Sequence, residues 1–186
     1  IARANHRVSY PANIQLIAAM NPCRCGMAGE PGHTCARGPR CAADYQARVS
    51  GPLMDRIDIR IDVPAVSAAD LLIPVASERS ADVARRVAAA RALQRERFLE
   101  LGAAQIRTNA QCSTAIIEKI AEPDRGGLTL LQDAADKLKF SARGYHRILK
   151  VARTIADLDG QRAIGRIHIA EAISYRIAGT RLHAAA

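Results

Sequence analysis

Apolar positions follow three different patterns along this chain. Residues 14–20, Ile-Gln-Leu-Ile-Ala-Ala-Met, are mostly apolar up to Asn21-Pro22, which suits a buried parallel strand of an α/β sheet. Residues 57–63 alternate, with Ile57, Ile59, Ile61 and Val63 on one side and Asp58, Arg60 and Asp62 on the other. That pattern predicts a half-buried strand at or near a sheet edge, ended by Pro64. From Ser67 onward the spacing turns helical. Ser67-x-x-Asp70 has the form of a capping box for a short turn that Pro74 stops. Ser80 can cap a long helix to about Leu101, with Val83, Val87, Ala90 and Leu93 inward and Gly102 closing it. Further helices are predicted near 113–121 and 127–138. Ser141 caps another, reaching about Leu158, on which Tyr145, Ile148, Ala152 and Ile155 share a face until Gly160. A last helix over 168–177 aligns Ile169, Ala172, Ile173 and Arg176.

The expected fold class is therefore an α/β remnant followed by an all-α bundle. Two sheet strands without neighbours are marginal, and the segment at Ile1, with no initiator Met, does not look like the start of a domain. The chain is expected to be the C-terminal part of something longer. Its 186 residues allow one domain, or a piece of one with a small satellite. An apolar content of 49% excludes disorder as a global description. Aromatics at 3%, with no Trp, argue against an immunoglobulin sandwich, a jelly roll or a base-stacking surface. No apolar run is long enough to cross a bilayer, and no signal peptide opens the chain. A cytoplasmic protein is expected.

Charge narrows the partners. Lys plus Arg is 27 against 18 Asp plus Glu, a net +9. Only Lys119, Lys137, Lys139 and Lys150 are lysines; every other base is Arg, whose planar fork suits phosphate and carboxylate. A polyanion, nucleic acid or nucleotide, is favoured over a merely solvated basic surface. Of five cysteines, Cys23, Cys25, Cys35 and Cys41 fall in one loop with four Gly and two Pro, too poor in large apolar groups to build a core. Without a secretory signal, four thiolates there point to a tetrahedral Zn²⁺ site, with reduced thiols as the alternative. His33 could replace one ligand. Arg24, Arg37 and Arg40, lying among the thiols, favour thiolate. Cys112, set apart, reads as a small buried side chain.

Three further residues carry candidate chemistry. Asn21, at the carboxyl end of the predicted apolar strand, is where ligands sit in open α/β sheets, although Asn-Pro also starts ordinary turns. Arg56 follows Ser50-Gly-Pro-Leu-Met-Asp and is held at an element boundary. It can neutralise charge in a neighbour's phosphate site, or pair locally with Asp55 and Asp58. Arg143 sits in a first helical turn against the helix dipole, with Arg147 and Lys150 on the same face, a placement with a use or simply a solvated face. His6, His168 and His183 show no metal-ligand spacing.

Taken together, Ala18-Ala-Met-Asn-Pro-Cys, Ser50-Gly-Pro-Leu-Met-Asp-Arg-Ile-Asp-Ile, Phe140-Ser-Ala-Arg-Gly-Tyr-His-Arg-Ile-Leu-Lys and His168-Ile-Ala-Glu-Ala-Ile-Ser-Tyr-Arg resemble the Mg-chelatase-like AAA+ ATPases, and within them the ComM/YifB group. The resemblance implies that residues 1–66 are the C-terminal part of an AAA+ core with a cysteine loop at 22–42. Residues 67–186 would be the helical lid. It implies sensor-1 for Asn21, an arginine finger for Arg56 and sensor-2 for Arg143. It further implies ATP with Mg²⁺ and a ring, usually a hexamer. For the ComM group it implies a DNA helicase activity on branched intermediates in natural transformation. A chelatase-type motor acting on a protein partner, or a zinc-stabilised binding module that uses no nucleotide, are the rival expectations. No Gly-x-x-x-x-Gly-Lys-[Ser/Thr] and no Walker B strand occur in these residues, so the stretch alone is expected to be inactive. In related sequences the cysteine loop often ends in Cys-x-Cys; here Arg37 stands at the second Cys and Cys41 appears instead.

Overall fold

Between residues 78 and 178 the helical spacing becomes helix. The structure, a computed structural model, describes residues 2–3, 5–28, 35, 37–64, 66, 72 and 78–178. The capping box at Ser67 and Asp70, the stop at Pro74, His33 and His183 lie outside the described residues. Two compact units divide the chain, Ile1–Gln46 and Ala47–Ala186.

In the first unit, β1 (Ala2–Arg3) pairs antiparallel with β2 (His6–Arg7), and α1 spans Cys41–Gln46. The run at 14–20 forms no strand. Ile14 is 81% and Ile17 86% exposed. The second predicted strand, 57–63, also has no sheet partner, and Ile61 and Val63 are exposed. An apolar or alternating pattern specifies which face a strand would bury, but a strand needs neighbours for its N–H and C=O groups. Neither stretch has a neighbouring strand among the described residues.

The second unit opens with α2 (Gly51–Met54), a single turn, and continues with α3 (Ser80–Glu100), a 3₁₀ turn at Asn109–Gln111, α4 (Thr114–Ile120), α5 (Arg125–Leu138), α6 (Ala142–Leu158) and α7 (Arg166–Ile177). Beside the Ser50 cap of α2, side-chain caps fix three starts. Ser113 accepts from the Ile116 N–H, Asp124 from Gly127 and Ser141 from Gly144. Gly102 and Gly160, at φ +66° and +67°, follow the ends of α3 and α6. Asp124→Ala is expected to lower stability by about 1 kcal/mol, read as a shifted denaturation midpoint; an unchanged midpoint would show that the cap contributes nothing.

Helix α6 is the central element, packed by α3, α4, α7 and the 3₁₀ turn, while α5 packs on α7. Ile148, Ala152 and Ile155 are buried as the spacing predicted, with Phe98, Ile117, Leu131, Ile164 and Ile169 around them. Each such side chain contributes about 1.5–3 kcal/mol by leaving water. Cys112 is a buried member of this core, as expected, and burial raises its thiol pKa. The inward face of α3 differs from the expectation. Ala90 is buried as expected, together with Gln94 and Phe98, whereas Val83, Val87 and Leu93 are at least 37% exposed.

That rotation brings polar groups inward. Asp157, with no exposed side chain, accepts from Arg153 Nε at 3.0 Å, Gln94 Nε2 at 3.1 Å and Asn109 Nδ2 at 2.8 Å, and pairs with Arg97. Arg153 also donates to the carbonyls of Arg162 and Gln161 at 2.6 and 2.5 Å, which ties the turn after α6 back onto it. Burial pulls the Arg153 pKa down, and the Asp157 charge opposes that. The face of α3 that meets α6 thus carries both apolar Ala90 and Phe98 and the groups of this ionic cluster.

Candidate functional site

Ser50-Gly-Pro builds a stiff turn. The Ser50 hydroxyl caps α2 by accepting from the Leu53 N–H at 3.3 Å, and Pro52 presets the first helical residues. The turn then continues one residue at a time. The N–H groups of Asp55, Arg56 and Ile57 donate to the carbonyls of Gly51, Leu53 and Met54 at 2.9, 2.9 and 3.2 Å. Arg56 emerges from this turn exposed, its guanidinium donating to the Pro52 carbonyl at 2.7 Å. The local pairing with Asp55 and Asp58 does not form. Asp55 is taken by Arg176 and Asp58 by Arg147, and Arg56 has no carboxylate partner among the described residues.

Arg143 is the second residue of α6, directly after the Ser141 cap. It is exposed and has no hydrogen-bond or ion-pair partner among the described residues. Arg56 and Arg143 are thus among the guanidiniums of the second unit without a carboxylate partner among the described residues, the latter at a helix start where the dipole disfavours a cation.

The strip around Arg56 lies on the ends of two helices. Ser141, while capping α6, donates to Asp55 at 3.3 Å. Arg176, at the end of α7, is buried and donates to the carbonyls of Asp55 and Ile57, both at 3.0 Å, as well as to the Asp55 carboxylate. The Arg60 N–H meets the Tyr175 carbonyl at 3.1 Å, and its guanidinium reaches the Arg176 carbonyl. Burial, and then the nearby Arg176 charge, lowers the Arg60 pKa.

The first unit holds the four cysteines. The N–H of Gly26 turns back to the Cys23 carbonyl at 3.1 Å and that of Gly38 to Cys35 at 2.9 Å. Both glycines adopt positive φ, +79° and +90°, which a side chain would resist. Cys41 then opens α1, and Gln46 at its end donates to the Pro22 carbonyl at 2.9 Å. The four Sγ atoms all lie within 4.8 Å of one another. Cys23 and Cys41 are buried; Cys23–Cys25 and Cys25–Cys35 are 3.0 and 3.1 Å apart. Hydrogen bonding to Cys25 lowers the Cys23 thiol to about 7 and raises Cys35 to about 12. This donor set fits a tetrahedral thiolate site, whose Zn–S bonds are about 2.3 Å. Arg24, Arg37 and Arg40 are exposed around it. Asn21, two residues before Cys23, is exposed and follows a segment that is not a strand. It belongs to a different unit from Arg56 and Arg143.

The family matches divide the chain at a different place from the two compact units, and the N-terminal match takes in Arg56 with Asn21 and the cysteines. Residues 77–176 match the family described as magnesium chelatase, subunit ChlI C-terminal, and residues 1–71 match magnesium chelatase, subunit ChlI. The chain belongs to the magnesium chelatase subunit ChlI family. Within this AAA+-type family it is 40% identical over 181 residues to the competence protein ComM of Haemophilus influenzae, covering 95% of this chain and 33% of that protein. It is 36% identical over 181 residues to YifB of Escherichia coli, at the same two coverages. It is 35% identical over 187 residues to Rv2897c of Mycobacterium tuberculosis, covering 97% and 35%. The chain therefore spans about a third of the length of these relatives. Among the described residues no helix is long and apolar enough to cross a membrane.

Sequence reasoning missed the work done by Arg176, Arg147 and His168. A signal for the first was present, since Arg176 falls on the apolar stripe of the last helix, where a guanidinium needs a partner. Arg147, on the face whose spacing fits either a use or plain solvation, pairs with Asp58. His168 is buried and accepts from the Gly165 N–H at 2.9 Å, securing the start of α7 rather than standing idle.

Proposed function

We propose that this chain supplies the finger and lid of a ring-forming AAA+ ATPase that couples ATP hydrolysis to the remodelling of DNA. The observation that carries the reading is the state of Arg56. Both flanking carboxylates are engaged elsewhere while its own charge stays exposed on a capped, hydrogen-bonded turn. A guanidinium held this way is set out for an anion that the chain itself does not provide. In the family role, Arg56 neutralises charge developing on the phosphates bound by an adjacent subunit, and Arg143 contacts nucleotide from the lid. Bound ATP with Mg²⁺ supplies the phosphoryl chemistry. Asn21 would hold the sensor-1 position once the run at 14–20 is paired into a sheet, and its exposed Ile14, Leu16 and Ile17 fit a strand awaiting neighbours.

DNA as the substrate draws support from the net charge of +9, from the match to a competence protein and from the surface. A groove of about 440 Å³ is lined by Arg91, Arg95 and Arg107, and Arg24, Arg37 and Arg40 stand around the cysteines. The test is ATP turnover by the full-length protein with and without branched DNA. Stimulation is expected. Intact rings without stimulation would favour the second reading, a motor acting on a protein partner for metal insertion, which the family's description as a magnesium chelatase subunit suggests. No turnover at all would favour a zinc-stabilised binding module.

The four cysteines serve that motor as a structural centre. Cys23, Cys25, Cys35 and Cys41 would hold Zn²⁺, cross-linking a loop without a core of its own. Elemental analysis is expected to find about one zinc per chain, and chelation is expected to open residues 22–42 to protease. A metal-free protein with that loop still resistant would contradict the assignment.

A further inference from the structure

We infer that Arg176 is the positioning residue for the finger, a clasp that fastens the Arg56 turn to the same helix ends that present Arg143. This inference rests on the finger reading above and adds a residue that acts through Arg56.

Residues on both sides of Arg56 are tied down: Asp55 to Arg176 and Ser141, Ile57 to Arg176, Asp58 to Arg147 and Arg60 to the last turn of α7. Arg56 itself is exposed and, among the described residues, its guanidinium bonds only back to the Pro52 carbonyl of its own turn. Arg176 is 7% exposed and divides its fork between the Asp55 carboxylate and two backbone carbonyls, so it fixes the backbone of the turn as well as a side chain. A planar guanidinium holds its acceptors in one fixed arrangement; an ammonium also has three donors but lacks the rigid fork.

The clasp also touches the other arginine's helix. A Cβ placed on Gly144, next to Arg143, would lie 3.4 Å from Arg176 Nη2 and 3.4 Å from Ser141 Oγ. The Arg176 guanidinium therefore sits between the turn that carries Arg56 and the turn that carries Arg143. A nucleotide contact that moves the start of α6 moves the finger with it. Desolvating a guanidinium is costly, and a well-packed apolar residue often serves stability as well. What the arginine adds here is orientation.

The test uses the full-length protein and reads three quantities for each variant: ATP turnover, ATP affinity and ring assembly. Arg176→Ala is expected to cut kcat by about 100-fold, the scale of a displaced catalytic group, with ATP affinity and assembly unchanged. Arg176→Lys, which keeps the charge and loses the fork, is expected to recover little of that loss. Should Arg176→Ala fail to fold, Arg147→Ala breaks the more exposed tie to Asp58 and is expected to lower kcat several-fold with affinity unchanged. If Arg56→Ala is inactive while the folded clasp variants turn over like the parent, the clasp is overturned and the finger stands. If affinity or assembly falls in step with turnover, Arg176 is merely structural and the inference fails. If Arg56→Ala is itself active, the finger reading fails and the clasp fails with it.

Discussion

Arg56→Ala in the full-length protein is expected to lower ATP turnover by about 1,000-fold or more while leaving ATP affinity within about twofold, the range that arginine fingers supply in phosphoryl transfer. The reasoning is electrostatic. A fixed cation aimed at phosphate oxygens stabilises charge that grows in the transition state, so its loss falls on kcat rather than on ground-state binding. Fixity is what the structure documents. The turn is capped by Ser50, its backbone is hydrogen-bonded through Ile57, and the neighbouring aspartates are committed to Arg176 and Arg147. Arg56→Lys is expected to recover only part of the rate, because a point charge lacks the fork. Because Arg56 is exposed and has no carboxylate partner among the described residues, the melting temperature is expected to stay put. A variant that turned over normally, or that lost ATP binding together with turnover, would contradict the assignment.

Asp157→Ala is expected to cost about 3–5 kcal/mol of stability, the range for breaking a buried ion pair from one side. The carboxylate is fully buried and gathers Arg153, Arg97, Gln94 and Asn109 from three separate parts of the helical unit. Its removal strands the Arg153 guanidinium, which is 2% exposed and keeps only the carbonyls of Gln161 and Arg162. Asp157→Asn is expected to cost less, since one acceptor oxygen survives. Chemical denaturation of the parent and both variants checks this. A midpoint for Asp157→Ala close to the parent's would mean that the cluster is hydrated or rearranges freely. Function should suffer only through the folded fraction, because Asp157 has no contact with the Arg56 strip.

Much of the helical unit was legible because its signals are local. Ser141 with Gly160, the stripe Ile148–Ala152–Ile155 and the stripe Ile169–Ala172–Ile173 each specify a helix and a face without reference to distant chain. The failures share the opposite cause. The run at 14–20 and the alternation at 57–63 are statements about a sheet, and a strand cannot be realised by pattern alone. On α3 two stripes competed. Val83, Val87 and Leu93 form one apolar stripe, but the face carrying Ala90 and Phe98 won, and it also brings Gln94 and Arg97 to the buried Asp157, which needs partners.

The candidate site was legible in its parts and illegible in its connections. The thiol spacing from Cys23 to Cys41 named a cluster that the turns at Gly26 and Gly38 do assemble. Arg56 was visible in the sequence as an arginine between two acids, a pattern that by itself favours a local ion pair. What separates the two readings is that Arg176 and Arg147, roughly ninety and more residues downstream, remove those acids from competition. No spacing rule reaches that far.

The most direct measurement mixes two full-length variants, each inactive alone. One carries Arg56→Ala and still holds ATP; the other keeps Arg56 and is disabled in its own ATP binding. If Arg56 completes the site of an adjacent subunit, mixed rings contain interfaces where an intact finger meets a loaded pocket, and turnover returns in proportion to them. Mixed rings that assemble and stay as inactive as their parents would contradict the claim that this chain places its arginine in a neighbour's nucleotide site.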